Sequence, residues 1–483
     1  MRAALLALAA LACGCASGPA FDGPFDLVIR GGRVMDPESG LDAVRNVGIA
    51  GGVIRSVTAA PLRGARTIDA RGLVVAPGFI DLHSHGQDPA NYAMKAADGV
   101  TCALELEVGT ADVDAWYAER EGKALVHFGV SIGHIPVRMK VMGDAPAFLP
   151  PADAKACAQE ATDAEVAAMK ERIDQGLRRG AVAVGFGIQY TAAASRWEIL
   201  EMFRVASQHG ASCHVHLRHN GVKEPRNSTA ALEEVLAAAA VTGAPLHVVH
   251  IHSTSVSATP RHLAMIAEAR SRGLDATTEC YPYPAGMTKL NSGVFKDDWR
   301  GALGIDYKDI QWVATGERLT VETYAKYREQ DGYVLVFSIP ESAVTAAVSD
   351  PTVMIASDGI WEEGKGGHPR GAGACARVLG KFVREEKVLS LMDALRKMTI
   401  LPARRLERAA PMFTRKGRVQ EGCDADLTVF DPARVIDRAT YEKPTLPSEG
   451  IAWVLVGGTP VVEDGKLQAG IKPGKPLRAA VRD

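Results

Sequence analysis

Eight short runs of apolar or alternating residues recur through the middle of this 483-residue chain, with helical stretches between them. In order they read VVAPGFIDLHSH, GVTCALELEVG, ALVHFGVSIGHI, AVAVGFGIQY, ASCHVHLRH, PLHVVHIHST, DATTECYPY and TVMIASDG. Segments such as DAEVAAMKERIDQGLRRG and TAALEEVLAAAAVTG carry the 3.6-residue rhythm of amphipathic helices. A strand followed by a helix, eight times over, predicts an α/β chain whose parallel strands close into a (β/α)8 TIM-like barrel. The 48 glycines suit the many strand-to-helix turns of such a fold.

The two ends have a different texture. Residues 26–75 alternate apolar and polar side chains with glycine punctuation, and the same pattern returns in ADLTVFDP and IAWVLVGGTPVVEDGK. These read as short antiparallel strands. The expected map is therefore a small β-sandwich built from both termini, residues 21–75 and 412–483, around a barrel of residues 76–411. A stretch at 289–350 breaks the strand–helix rhythm and reads as a cover segment after the seventh strand.

The first 20 residues stand apart. Met1-Arg2 precedes an unbroken small and apolar run from Ala3 to Cys13, too short to span a bilayer and of the kind that directs export. The string Leu11-Ala12-Cys13-Gly14-Cys15 resembles a bacterial lipoprotein cleavage site, with the choice between Cys13 and Cys15 open. The expectation is an exported, periplasmic protein attached to a membrane by an N-terminal lipid. Cys102, Cys213 and Cys280 lie in strand-like runs and are expected as buried thiols. With 55 basic and 57 acidic side chains and no basic run, the composition offers nothing to nucleic acid.

Barrels of this kind carry their chemistry at the C-terminal ends of the strands. Here those ends hold His83-Ser84-His85, Glu105-Leu106-Glu107, His214-Val215-His216, His250-Ile251-His252 and Asp358. Residues two apart on a strand share a face, so each pair can reach the barrel mouth. Imidazole and carboxylate together are the donors of a borderline cation such as Zn²⁺, which activates water for hydrolysis. His214 reads as structural, and so does His247, placed by parity on the face opposite His250.

The segment from Ala76 to His85, APGFIDLHSH, resembles the metal-binding opening of the amidohydrolase superfamily. Within it the chain is most similar to the D-aminoacylases (N-acyl-D-amino-acid deacylases). The blocks that carry this are GHIPVR (133–138), VMG (141–143), GIQY (187–190), HVHLRH (214–219), YPYPAG (281–286), ASDG (356–359), HPRGAG (368–373), KMTILPARRL (397–406) and VQEGCDADLTVFDP (419–432). The resemblance runs from Asp26 to Gly465 and is weakest in the cover segment, which looks shortened.

The resemblance implies that His83, His85, His216, His250 and Asp358 are metal ligands, with Asp358 also moving a proton. It places Tyr190 and Arg370 where the family holds the substrate's carboxylate or acyl end. Arg218, also expected at the substrate, follows His216 in a His-x-Arg pattern. The mechanism expected from this has Tyr190 steadying the oxyanion and Arg370 pairing with the carboxylate. Two positions depart from the family. A strand-2 cysteine ligand is replaced by the Glu105–Glu107 pair, of which Glu107 is nearer the strand end and is expected to bridge two ions. The strand-6 substrate lysine is replaced by His252. No lysine lies on the fourth strand to serve as a carboxylated bridge. The expected activity is hydrolysis of linear amides, foremost N-acyl-D-amino acids, with one or two Zn²⁺ or other divalent ions. The alternatives are a dipeptidase, a cyclic-amide hydrolase, or a binding lipoprotein without turnover.

Overall fold

The computed structural model describes residues 21, 23–296 and 298–482. The expected export and lipidation signals lie outside the described residues. Eight strands form the central sheet: β1 (Phe79–Asp81), β2 (Val100–Thr110), β3 (His127–Gly133), β4 (Ala183–Gly187), β5 (Ser212–His216), β6 (Leu246–Val248), β7 (Ala276–Cys280) and β8 (Val353–Ile355). Neighbours pair in parallel from β1 through to β8. Their runs are buried except at Gly109, Thr110 and Thr277, which are half-buried, as expected of parallel strands covered on both faces. Just beyond β1 and β8 the ring closes. Ser84 bridges Gly359 in parallel, and Asp358 N–H donates to the His83 carbonyl at 2.7 Å. The strand–helix reading of the sequence therefore holds for all eight runs.

The helices between strands follow from their patterns. In Asp163–Arg178 the residues Val166, Met169, Ile173 and Leu177 repeat on one face and are buried. Thr162 and Glu165 form a reciprocal capping box at its start, satisfying two otherwise orphaned N–H groups.

Both termini contribute to one nine-stranded sheet. Strand Val74–Pro77 pairs antiparallel with Leu427–Phe430 and so joins the two ends. The pairing is not wholly antiparallel, as the sequence had suggested. The long strand Phe25–Asp36 takes Gly64–Asp69 and Val74–Pro77 in parallel, because the chain crosses to its other side instead of returning by hairpin. Val74–Pro77 belongs to this sheet, and the chain passes into the barrel at Gly78. A side chain there would meet Thr101 at 2.3 Å, so only glycine fits. The last residues also depart from the map. Leu477 N–H donates to Phe128 O at 2.7 Å, and Leu477 is buried with Ile80, Leu104, Met354 and Phe413. Apolar burial thus draws the C-terminal segment onto the barrel.

The cover begins earlier than its rhythm suggested, at Gly286–Lys289. That strand pairs with Tyr333–Val336, which pairs in turn with Ile310–Trp312. It has its own aromatic core, in which Trp312 stacks on Tyr327 at 4.6 Å. Helix Glu341–Ser349 belongs to the barrel, since Val344 and Val348 pack in the main core. The six cysteines from Cys102 onward are buried free thiols. Among the described residues no helix is long and apolar enough to cross a membrane.

Candidate metal centre

Six side chains converge at the barrel mouth in two groups that share Glu107. His83, His85, Glu107 and Asp358 form one, and Glu107, His216 and His250 the other. In the first group His83 Nε2 lies 3.1 Å from His85 Nε2, 3.0 Å from Glu107 Oε2 and 3.5 Å from Asp358 Oδ1. His85 Nε2 lies 3.1 Å from Glu107 Oε2 and 3.2 Å from Asp358 Oδ1. A tetrahedral zinc with arms of about 2.0–2.1 Å has donor–donor edges of about 3.3 Å. Five edges of this group match that figure. In the second group Glu107 turns its other oxygen, Oε1, to His216 Nδ1 at 2.8 Å and His250 Nε2 at 3.5 Å. One carboxylate thus faces two donor sets with separate oxygens.

Local backbone explains the aim of two of the candidate ligands, His250 and Asp358. β6 ends at Val248, and His250 takes a left-handed φ of 28°. Strand parity therefore does not apply to it. His247 is not on an opposite face, as the sequence had suggested. It sits inside the barrel beneath the ligands, bonded to Glu279. Asp358 likewise lies beyond β8, with a φ of 51°. Such conformations cost of order 1–3 kcal/mol and persist where surrounding contacts enforce them. Here Asp358 N–H is tied to the His83 carbonyl and Ser357 to Asp81.

Every ligand imidazole has its remote nitrogen held. His83 Nδ1 meets Glu279 at 2.6 Å, His85 Nδ1 meets Glu105 at 2.7 Å, His216 Nε2 meets Gln189 at 2.8 Å and His250 Nδ1 meets Ser253 at 3.0 Å. Such partners fix the tautomer and leave the inward nitrogen bare for a metal. Burial works against a charged ring, yet Asp358, Glu107 and Glu279 push His83 up to about 10. With no ion bound, the same carboxylates draw a second proton onto His83, which a cation would displace from Nε2. Despite burial, His83, His216 and His250 hold the Glu107 carboxyl well below its usual range. Glu105, Glu107, Glu279 and Asp358 are all buried against the imidazoles, and of these Asp358 alone is paired with a guanidinium, that of Arg370. This excess of buried negative charge fits divalent cations.

The residues expected at the substrate divide. Arg370 and Tyr190 line the cleft over the ligands. Arg370 Nη1 lies 2.9 Å from Asp358 Oδ2, and its ring-stacked guanidinium sits 4.4 Å from the Tyr281 centroid. The Tyr190 hydroxyl is 3.2 Å from Thr288 Oγ1 of the cover, and burial together with Glu107 pushes its pKa far up, so it is a neutral donor. Arg218 is not at the cleft. Its guanidinium grips Glu234 at 2.6 and 2.8 Å and the carbonyls of Ala192 and Ala194, which satisfies it structurally. His252 is also displaced from the expected role. It is fully buried behind Tyr281, with ring centroids 4.4 Å apart, and burial, His250 and Arg370 push it down to about 3. The helix that starts at Ile251 turns it away from the cleft. The partners Glu279, Gln189 and Ser253 were missed in the sequence. A carboxylate two residues before Tyr281, just inside the end of β7, was the one signal for Glu279.

The Amidohydrolase family model matches residues 74–461. The chain belongs to this family. As an amidohydrolase it is 30% identical to the N-acyl-D-glutamate deacylase of Alcaligenes xylosoxydans xylosoxydans, over 94% of this chain and 96% of that one. Its fold matches an N-acyl-D-glutamate deacylase from Bordetella bronchiseptica, solved with zinc and a phosphonate mimic of the tetrahedral intermediate. The TM-score is 0.80 at 28% identity, covering 95% and 100% of the two chains. A solved D-aminoacylase described by its binuclear metal centre matches equally, with a TM-score of 0.80 and 28% identity over 94% and 100%. This amidohydrolase is thus a metal-dependent hydrolase of carbon–nitrogen bonds in linear amides.

Proposed function

We propose that the chain is a zinc-dependent deacylase of N-acyl-D-amino acids. The observation that carries this is the donor set itself: a near-tetrahedral group and a second group joined by Glu107, beneath a cleft whose permanent cation is Arg370. The relatives named above act on substrates of this class. A divalent ion held by these six ligands would polarise an amide carbonyl and lower the pKa of a water to about 7.

The protein's own groups supply the remaining steps. Asp358 has divided duties: Oδ1 faces the imidazoles, and Oδ2 faces Arg370. Burial raises a carboxyl's pKa, but Arg370 and His83 keep Asp358 ionised, ready to take the attacking water's proton. It passes that proton to the departing amine nitrogen. Arg370 has its Nε buried without a partner, so its fork can hold the substrate's carboxylate. The Tyr190 hydroxyl steadies the negative oxygen of the tetrahedral species. The cover contributes Met287, Thr288, Tyr333 and Val336 to the cleft wall and shields it from water.

Purified protein should hold roughly one to two equivalents of zinc by elemental analysis, the stoichiometry of one or two four-coordinate sites. Against paired N-acetyl-D- and N-acetyl-L-amino acids, turnover should favour the D-series. It should vanish on chelation and return with Zn²⁺. Active protein free of transition metal, or an L-preference, would reject this reading. We also propose, from the N-terminal sequence, that the enzyme is exported and anchored through lipid at Cys13 or Cys15, which mass spectrometry of the mature N-terminus tests.

A further inference from the structure

Below the ligands an unbroken line of polar contacts runs to the barrel floor. Glu279 sends Oε1 to His83 Nδ1 at 2.6 Å and Oε2 to His247 Nε2 at 3.0 Å. His247 Nδ1 is 2.8 Å from Thr277 Oγ1, and Arg405 Nη1 donates to that same oxygen at 3.3 Å. Arg405 is itself anchored on Asp275 by two bonds of 2.7 Å. Thr277 and Glu279 alternate into the barrel on β7, and His83, His247 and Glu279 are each no more than 1% exposed.

The line has a direction. A guanidinium only donates, so Thr277 accepts from Arg405 and its own proton must go elsewhere. His247 Nδ1 at 2.8 Å is nearer than the Leu246 carbonyl at 3.3 Å. His247 then carries its proton on Nε2 and gives it to Glu279. The second Glu279 oxygen takes the Nδ1 proton of His83. His83 Nε2 is left bare, aimed at the other donors of the tetrahedral group. A buried carboxylate costs several kcal/mol unless its partners compensate, so an apolar residue would have packed here at lower cost.

We propose that Glu279 is a positioning residue, backed by His247, that fixes the metal-binding tautomer of His83 from the barrel floor. The inference rests on the metal-centre reading. The test is a Co²⁺ titration of the metal-stripped full chain, followed by visible absorption and by competition with a chromophoric chelator. Glu279→Gln should weaken Co²⁺ binding about 10–100-fold and shift the absorption band, because the amide's NH₂ must oppose an imidazole N–H. His247→Leu should weaken binding in the same sense. His247→Gln, which can still accept from Thr277 and donate to Glu279, should restore it. A folded Glu279→Gln with wild-type affinity and spectrum would overturn the proposal. Should Glu279→Gln fail to fold, the His247 pair decides: equal binding by His247→Leu and His247→Gln overturns it. Wild-type protein that binds no Co²⁺ would instead sink the metal centre, and this inference with it.

Discussion

Glu107→Gln should strip the enzyme of most of its metal and lower kcat/KM by at least about three orders of magnitude. That is the scale of the several kcal/mol a bound ion supplies to the transition state. Both Glu107 oxygens are engaged, Oε2 toward His83 and His85 and Oε1 toward His216 and His250. An amide keeps one weak oxygen donor and turns an NH₂ toward the other group of imidazoles. It also removes one negative charge from a site built to hold positive charge. Glu105→Gln should be milder, about 10–100-fold, because Glu105 reaches a metal only through His85 Nδ1. Its other oxygen accepts from the backbone N–H groups of Val108 and Gly109, which an amide oxygen can still do. The measurement is zinc per chain alongside kcat/KM for both variants. If Glu105→Gln proved the more damaging, the choice of ligand on β2 would be reversed.

The sequence was most legible where a rule of period two or 3.6 applied without interruption. All eight barrel strands were visible as apolar runs, and the cluster of candidate ligands was visible because ionisable residues at strand ends conflict with a buried environment. His83, His85, Glu107, His216, His250 and Asp358 come together in space although 275 positions separate the first from the last. Legibility failed where a backbone leaves its period. His250 and Asp358 have left-handed φ values beyond the strand ends, so strand parity misplaced His247 relative to His250. It also failed where a side chain has two chemically sound partners. Arg218 could have met a substrate carboxylate, but Glu234, sixteen residues on, is nearer and holds it in two bonds. Linear spacing does not show which acid a guanidinium will find. His252 shows the same limit, for its charge depends on whether Tyr281 covers it, and burial leaves the ring neutral. The terminal strands were legible as strands but not in their pairing. Parallel partners of Phe25–Asp36 arise from chain crossings that no local pattern encodes.

Asp358→Asn should retain most of the metal and still bind substrate, while kcat falls by about 10²–10⁴, the range for losing a general acid–base group. The geometry gives the reason. Oδ1 of Asp358 is the most distant donor from His83 in the first group, at 3.5 Å, whereas His85 and Glu107 close on His83 at 3.0–3.1 Å. An asparagine oxygen can hold that corner while the other three donors keep the ion. It cannot take up a proton, so the attacking water and the departing amine lose their shuttle. Arg370 loses its charged partner at 2.9 Å as well, which frees the guanidinium for the substrate's carboxylate. KM should therefore stay level or fall while kcat collapses, a split that a pure loss of metal would not produce. The competing account is that Asp358 only coordinates. It predicts activity that returns to wild type as zinc is added in excess, since the defect would lie in occupancy. Turnover and metal content measured together across a zinc titration separate the two. A variant with full metal and the full deficit in kcat establishes the proton role, and full recovery leaves coordination as the whole of it.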